Sequence, residues 1–174
     1  MDELPRRKNI RLKNYDYSQA GYYFITICSK DKKYIFWDVG ATSGRKHEEL
    51  PFLDVRATFG RPYEKPPLSN IGEIIDLEIN KINSIYENVE IDKYVIMPNH
   101  IHMIIVLNNA NERSKTAPTI SRIMQQFKGS VSKQTGLSLW QKSFYDHIIR
   151  DEQEYQKIWN YIETNPLKWE NDKY

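Results

Sequence analysis

Apolar and polar positions along this chain follow two periods, and the switches between them mark the elements. Residues 22–29 are aromatic and β-branched and predict a first strand. From Ser69 the pattern becomes a broad apolar stripe of Ile71, Ile74, Ile75, Ile79, Ile82 and Ile85, the spacing of a helix running to about residue 86. Residues 93–97 and 100–107 return to strand character on either side of Pro98-Asn99 and predict a β-hairpin. The second of these strands is apolar on both faces, so both sides of its sheet should be covered at least in part. A second helix is expected from about Thr119 through Ile123, Phe127 and Val131 to about Gln134, then a strand over 143–149. Asp151 and Glu154 have capping-box spacing for a last helix from Glu152 to about Asn165, stopped by Pro166. The order strand, helix, two strands, helix, strand, helix predicts an α+β fold. It is a ferredoxin-like βαββαβ sandwich with one added C-terminal helix.

One segment breaks the pattern. Residues 39–68 gather Gly40, Gly44, Gly60, Pro51, Pro62, Pro66 and Pro67 and read as a loop-rich insertion, with a short strand expected around 52–59. The 174 residues otherwise suit a single domain with a real core. No apolar run approaches the roughly 20 residues of a membrane span, and residues 1–8 lack the apolar segment of a secretory signal. The single cysteine, Cys28, excludes an intrachain disulfide and is expected as a buried core thiol in a reducing cytosol. The expected location is therefore cytoplasmic.

Charge adds an asymmetry that the net value of +2 hides. Between residues 113 and 145 stand Arg113, Lys115, Arg122, Lys128, Lys133 and Lys142, with no Asp or Glu. The first 14 residues form a basic tail with Arg6, Arg7, Lys8, Arg11 and Lys13 against Asp2 and Glu3. Residues 73–92 carry the balancing acids. Blocks of one sign in a nearly neutral protein suggest a face for a polyanion, although a solvated helix surface would look the same.

The candidate chemistry lies in Met97-Pro98-Asn99-His100-Ile101-His102 and in the last helix. Side chains alternate faces along a strand, so His100 and His102 project from one face within joint reach of an ion. A wetted strand face bearing two polar residues is the plainer alternative. On the last helix Tyr155, Ile158, Trp159 and Ile162 form the core stripe. Tyr161 falls about 110° from the middle of that stripe, and Asn165 stands one turn further on the same flank. A boundary tyrosine packing its ring and wetting its hydroxyl would fit equally.

Taken in order, these residues resemble a family. His100-Ile101-His102 after Met97-Pro98-Asn99, with Asn160-Tyr161-Ile162-Glu163-Thr164-Asn165-Pro166 downstream, is similar to the single-strand tyrosine transposases of the HUH (His-hydrophobic-His) kind. The REP-associated branch, tied to repetitive extragenic palindromes in bacteria, is the nearest match. Arg6-Arg7-Lys8, Tyr15-Asp16-Tyr17, Gly21-Tyr22-Tyr23-Phe24 and Trp140-Gln141-Lys142-Ser143-Phe144-Tyr145-Asp146-His147 match as well. Only the insertion has no counterpart.

The resemblance implies that the last helix carries the catalytic tyrosine. Tyr161 would attack a DNA phosphorus to give a 5′-phosphotyrosine and a 3′-hydroxyl. His100 and His102 would hold a divalent metal, Mg²⁺ or Mn²⁺ in use, with Asn165 as third ligand. A tyrosine hydroxyl ordinarily titrates near 10 and is a weak nucleophile, which is why such a site needs a cation on the phosphate. A covalent intermediate keeps the phosphodiester energy for rejoining. The implied partner is single-stranded or hairpin DNA near the bacterial nucleoid, bound by Arg6, Arg7, Lys8, Arg11 and Lys13 and by Arg122 and Lys128 near the strand being cut. The wider group is often dimeric, so a homodimer is left open. His147 receives no catalytic role.

Two rivals stand beside this reading. A non-catalytic or domesticated single-stranded nucleic-acid-binding protein would share the ferredoxin-like fold, but a stacking platform needs neither Tyr161 nor Asn165. A phosphoesterase with two His-x-Thr/Ser motifs is excluded, because Met103 follows His102 and no second motif exists.

Overall fold

The computed structural model describes residues 16–38, 68–109 and 118–166. The basic tail, all but the last residue of the insertion with its expected strand, and Arg113 and Lys115 lie outside the described residues. Seven main elements follow in order: β1 (Gly21–Cys28), α1 (Asn70–Ile85), β2 (Val89–Ile96), β3 (His100–Leu107), α2 (Ile120–Thr135), β4 (Tyr145–Ile149) and α3 (Glu152–Thr164). The strands form one antiparallel sheet in the order β2-β3-β1-β4. The predicted ferredoxin-like unit and its extra helix are both present.

Each helix starts where a side chain satisfies an orphan backbone donor. Ser69 Oγ accepts from the N–H of Gly72, the Thr119 hydroxyl from that of Arg122, and Asp151 Oδ1 from that of Glu154. The expected capping box is only half made. Glu154 turns its carboxylate to the Arg150 N–H and to His147 instead of back to Asp151. The turn through Pro98 and Asn99 closes the β-hairpin with a bond from the Met97 N–H to the His100 carbonyl. β2 begins four residues before the expected start, at Val89. An irregularity between Ile91 and Lys93 breaks its alternation, so the polar first half does not read as strand.

Strand alternation divides the sheet into two unlike faces. Tyr23, Ile25 and Ile27 of β1 and Ile101, Met103, Ile105 and Leu107 of β3 point to one side. There they pack with Ile75, Ile79 and Ile82 of α1 and Ile120, Ile123, Met124, Phe127 and Val131 of α2. The other face carries Phe24, Ile104 and Ile149, covered by α3 through Ile162, with Tyr155, Ile158 and Trp159 half-buried around them. Every residue of β3 is buried, as expected for a strand covered on both sides. His100 and His102 share the second face, at the start of β3.

Candidate active site

Register brings the site together. β1 and β3 pair so that Thr26 lies opposite His102 and Cys28 opposite His100. Both imidazoles are fully buried. His100 Nε2 and His102 Nε2 stand 3.0 Å apart and face each other. Cys28 is half-buried beside them at the end of β1, so the expectation of a thiol sealed in the core is corrected.

The outer ring nitrogens explain this orientation. His100 Nδ1 lies 2.6 Å from Asn99 Oδ1, and His102 Nδ1 lies 2.8 Å from Thr26 Oγ1. A carboxamide oxygen only accepts, so His100 donates from Nδ1 and presents a lone pair at Nε2. A threonine hydroxyl both donates and accepts, so His102 can take either tautomer. When Thr26 donates, His102 Nε2–H can donate to His100 Nε2. When Thr26 accepts, two Nε2 lone pairs converge on one point, an arrangement that calls for a cation between them. The Phe24 ring stacks on His102 at 5.3 Å between centroids and limits its tilt.

α3 supplies the rest. The Tyr161 hydroxyl is 3.2 Å from His102 Nε2, and its ring meets Phe24 edge-on at 6.1 Å. Tyr161 is 38% exposed. Asn165, one turn further, is buried at 3% exposure, and its Oδ1 has no hydrogen-bond partner. An unpaired buried carbonyl oxygen costs free energy, which makes it an available ligand. Among the described residues no three His, Cys, Asp or Glu side chains gather into a metal-holding group.

Polar struts fix α3 over the sheet. Tyr155 donates to Asp92 Oδ2 at 2.8 Å, and burial together with that carboxylate pushes its hydroxyl pKa up to about 12. Lys93 reaches Glu163 and sits 4.0 Å above the Trp159 ring. At the helix start His147 Nε2 is 2.7 Å from Glu154 Oε1. The Arg150 N–H and His147 hold the Glu154 carboxyl below the usual range.

The structure thus gathers Tyr161, His100 and His102, with Asn165 buried one helical turn beyond Tyr161. Arg122 and Lys128 both stand on α2, which packs on the side of Ile101 and Met103; from there Lys128 reaches the Gln141 carbonyl, beside Cys28 at the end of β1 opposite His100. Arg122 is exposed, whereas the Lys128 ammonium donates to the carbonyls of Gln141 and Ser143, and burial lowers its pKa to about 8. Arg6, Arg7, Lys8, Arg11 and Lys13 fall outside the described residues. Asn99 and Thr26 escaped the sequence reading. Asn99 adjoins the histidine motif and could have been flagged, but Thr26 is visible only once register is known.

Comparisons with known proteins bear on the fold and on what the chain is similar to. No family model matches the chain. An uncharacterized protein of Haemophilus influenzae is 32% identical over 190 residues, covering 98% of this chain and 93% of its own length. The REP-associated tyrosine transposase of Escherichia coli is 30% identical over 80 residues, 45% of each chain. A solved REP-associated tyrosine transposase bound to a REP hairpin shares the fold. Its TM-score is 0.55 at 21% identity, covering 91% of this chain and 74% of that one.

Proposed function

We propose that the chain is a transposase of the REP-associated tyrosine kind, which it resembles over part of its length, and that it cuts and rejoins single-stranded, hairpin-bearing DNA through Tyr161. The observation that carries this reading is the Tyr161 hydroxyl 3.2 Å from one of two facing imidazoles. Oη forms the new bond to phosphorus as the bond to the 3′-oxygen breaks. The hydroxyl proton is lost, and the departing oxygen gains one to become a 3′-hydroxyl. The products are a 5′-phosphotyrosine and a free 3′ end, and reversing the step rejoins a strand.

His100, His102 and Asn165 would hold a divalent ion, and their arrangement fits one. Two facing imidazole nitrogens and an amide oxygen would offer neutral donors to a divalent ion, Mg²⁺ or Mn²⁺ in use. When bound, the ion would draw charge from the phosphate oxygens as the new bond forms. The Tyr161 hydroxyl, 3.2 Å from His102 Nε2, would be the group turned toward the phosphate.

A single strand carrying a hairpin, incubated with the protein and Mn²⁺, should yield a covalent adduct that survives a denaturing gel. Tyr161→Phe should abolish the adduct and keep the strand bound. An adduct of undiminished yield in that variant would place the nucleophile elsewhere.

A further inference from the structure

Lys128 is not the only described basic residue at the histidine end. β1 ends at Cys28, opposite His100, and the chain then makes a short 3-10 turn over Lys30–Lys32. Residues 30–34, Lys-Asp-Lys-Lys-Tyr, are all exposed, with Tyr34 at 55%. Lys30 follows Cys28 by two residues, roughly 7 Å of chain at most. One acid, Asp31, stands among three lysines. Lys142, also exposed, lies alongside, because the Gln141 N–H donates to the Cys28 carbonyl.

This projection is built and anchored. The Ser29 N–H donates to the Asn99 carbonyl at 2.8 Å, and those of Ile35 and Phe36 donate to the Pro98 carbonyl at 2.9 and 3.0 Å. The Lys30 N–H reaches the Leu139 carbonyl at 2.6 Å, and the Ser29 hydroxyl the Lys33 carbonyl at 2.9 Å. Both ends are thus tied to the turn that carries His100. Between them Asp31 and Lys32 adopt φ of 59° and 53°, the left-handed region that non-glycine residues rarely enter. Such backbone persists only where its surroundings enforce it, and it concentrates at functional sites.

We propose that residues 30–34 seat single-stranded DNA as it passes over the histidine end of the sheet, with Lys30, Lys32 and Lys33 on phosphates and Tyr34 stacked on a base. The assignment rests on the DNA-cutting reading above and names a surface for its substrate. Lysines beside an exposed aromatic ring suit a single strand, which offers phosphates and unstacked base faces together. A duplex keeps its bases stacked inside and offers Tyr34 nothing to stack on.

Binding in chelator, where the strand stays uncut, tests this across three salt concentrations. The probes are a blunt DNA hairpin and the same hairpin with a single-stranded extension. Replacing Lys30, Lys32 and Lys33 together with Gln should flatten the slope of log K against log salt by about 2 for the extended probe. The blunt probe should keep its slope. Tyr34→Ala should weaken the extended probe by roughly 5- to 100-fold, and Tyr34→Phe should keep its affinity, because the ring does the stacking. An unchanged slope, or equal losses on both probes, overturns the proposal while leaving the cutting reading intact. A wild-type protein that binds neither probe overturns both. All four side chains are exposed, so thermal melting should not move and serves as the folding control.

Discussion

The two faces of the sheet are built to different standards. Among the described residues, the face under α1 and α2 belongs to a cluster of nineteen buried apolar residues. The cluster under α3 has four, ringed by half-buried apolar residues, with imidazoles, a threonine and an amide buried beside it. Burial of apolar area dominates folding free energy, so the first face holds the fold together. The second face cannot, and α3 is secured instead by Asp92–Tyr155, Lys93–Glu163 and His147–Glu154. Half-exposed polar struts are individually weak. Tyr161 therefore stands on the element with the smaller apolar anchorage.

The largest effect expected from breaking this contrast is on the thin face. His100→Ala or His102→Ala should slow adduct formation on the order of 10³-fold, by removing one of about three ligands. Circular dichroism should stay native, and Mn²⁺ affinity, read by titration, should fall in step. Next comes the thick face. Ile105→Ala should cost about 2–5 kcal/mol in urea unfolding, and Ile162→Ala on the thin face should fall at the low end of that range, where neighbours can settle. A larger loss for Ile162 than for Ile105 would invert the comparison. Third, Lys93→Ala should cost about 1 kcal/mol of stability at most, yet slow the adduct measurably by loosening α3. Equal adduct rates would show that the strut does not position Tyr161.

The smallest effect is in pH. Lys128 titrates near 8 in the folded chain, below the ordinary lysine value of 10.5, because burial disfavours its charge. Between those values the unfolded chain binds more protons, so this group's contribution to stability rises with pH from about 8 to 10.5. Lys128→Met should remove that rise in denaturant midpoints. Tyr155 works oppositely. Its folded pKa of about 12 exceeds the ordinary 10, so its contribution is intact below 10 and is lost as pH climbs toward 12. Tyr155→Phe should erase that decline. Glu154, held low, contributes above the ordinary carboxylate range and loses this as pH falls through its lowered value.

What could be read in the sequence was local. Ser69, Thr119 and Asp151 announced three helix starts because capping acts within three residues. Period-two spacing put both histidines on one face, and helical spacing put Tyr161 above Asn165. What escaped depended on contacts distant along the chain. Thr26 meets His102 across 76 residues, and α2 reaches its side of the sheet only through the order of the strands. The basic block at 113–145 suggested a face for a polyanion, but charge alone does not say which of its residues reach the histidine end, as Lys128 does through Gln141. Residues 30–34 drew no notice because three lysines among loop residues look ordinary until their anchoring to Pro98 and Asn99 is seen.

The alternation along β3 also makes the site a check on its own assembly. His100 and His102 occupy one set of positions, and Ile101 and Met103 occupy the other. A slip of one residue against β1 would turn both imidazoles into the isoleucine layer and push Ile101 and Met103 beneath Tyr161. No misregistered chain could be half active. Folding error and loss of chemistry would arrive together, and a preparation's active fraction would count the molecules whose central strands are aligned.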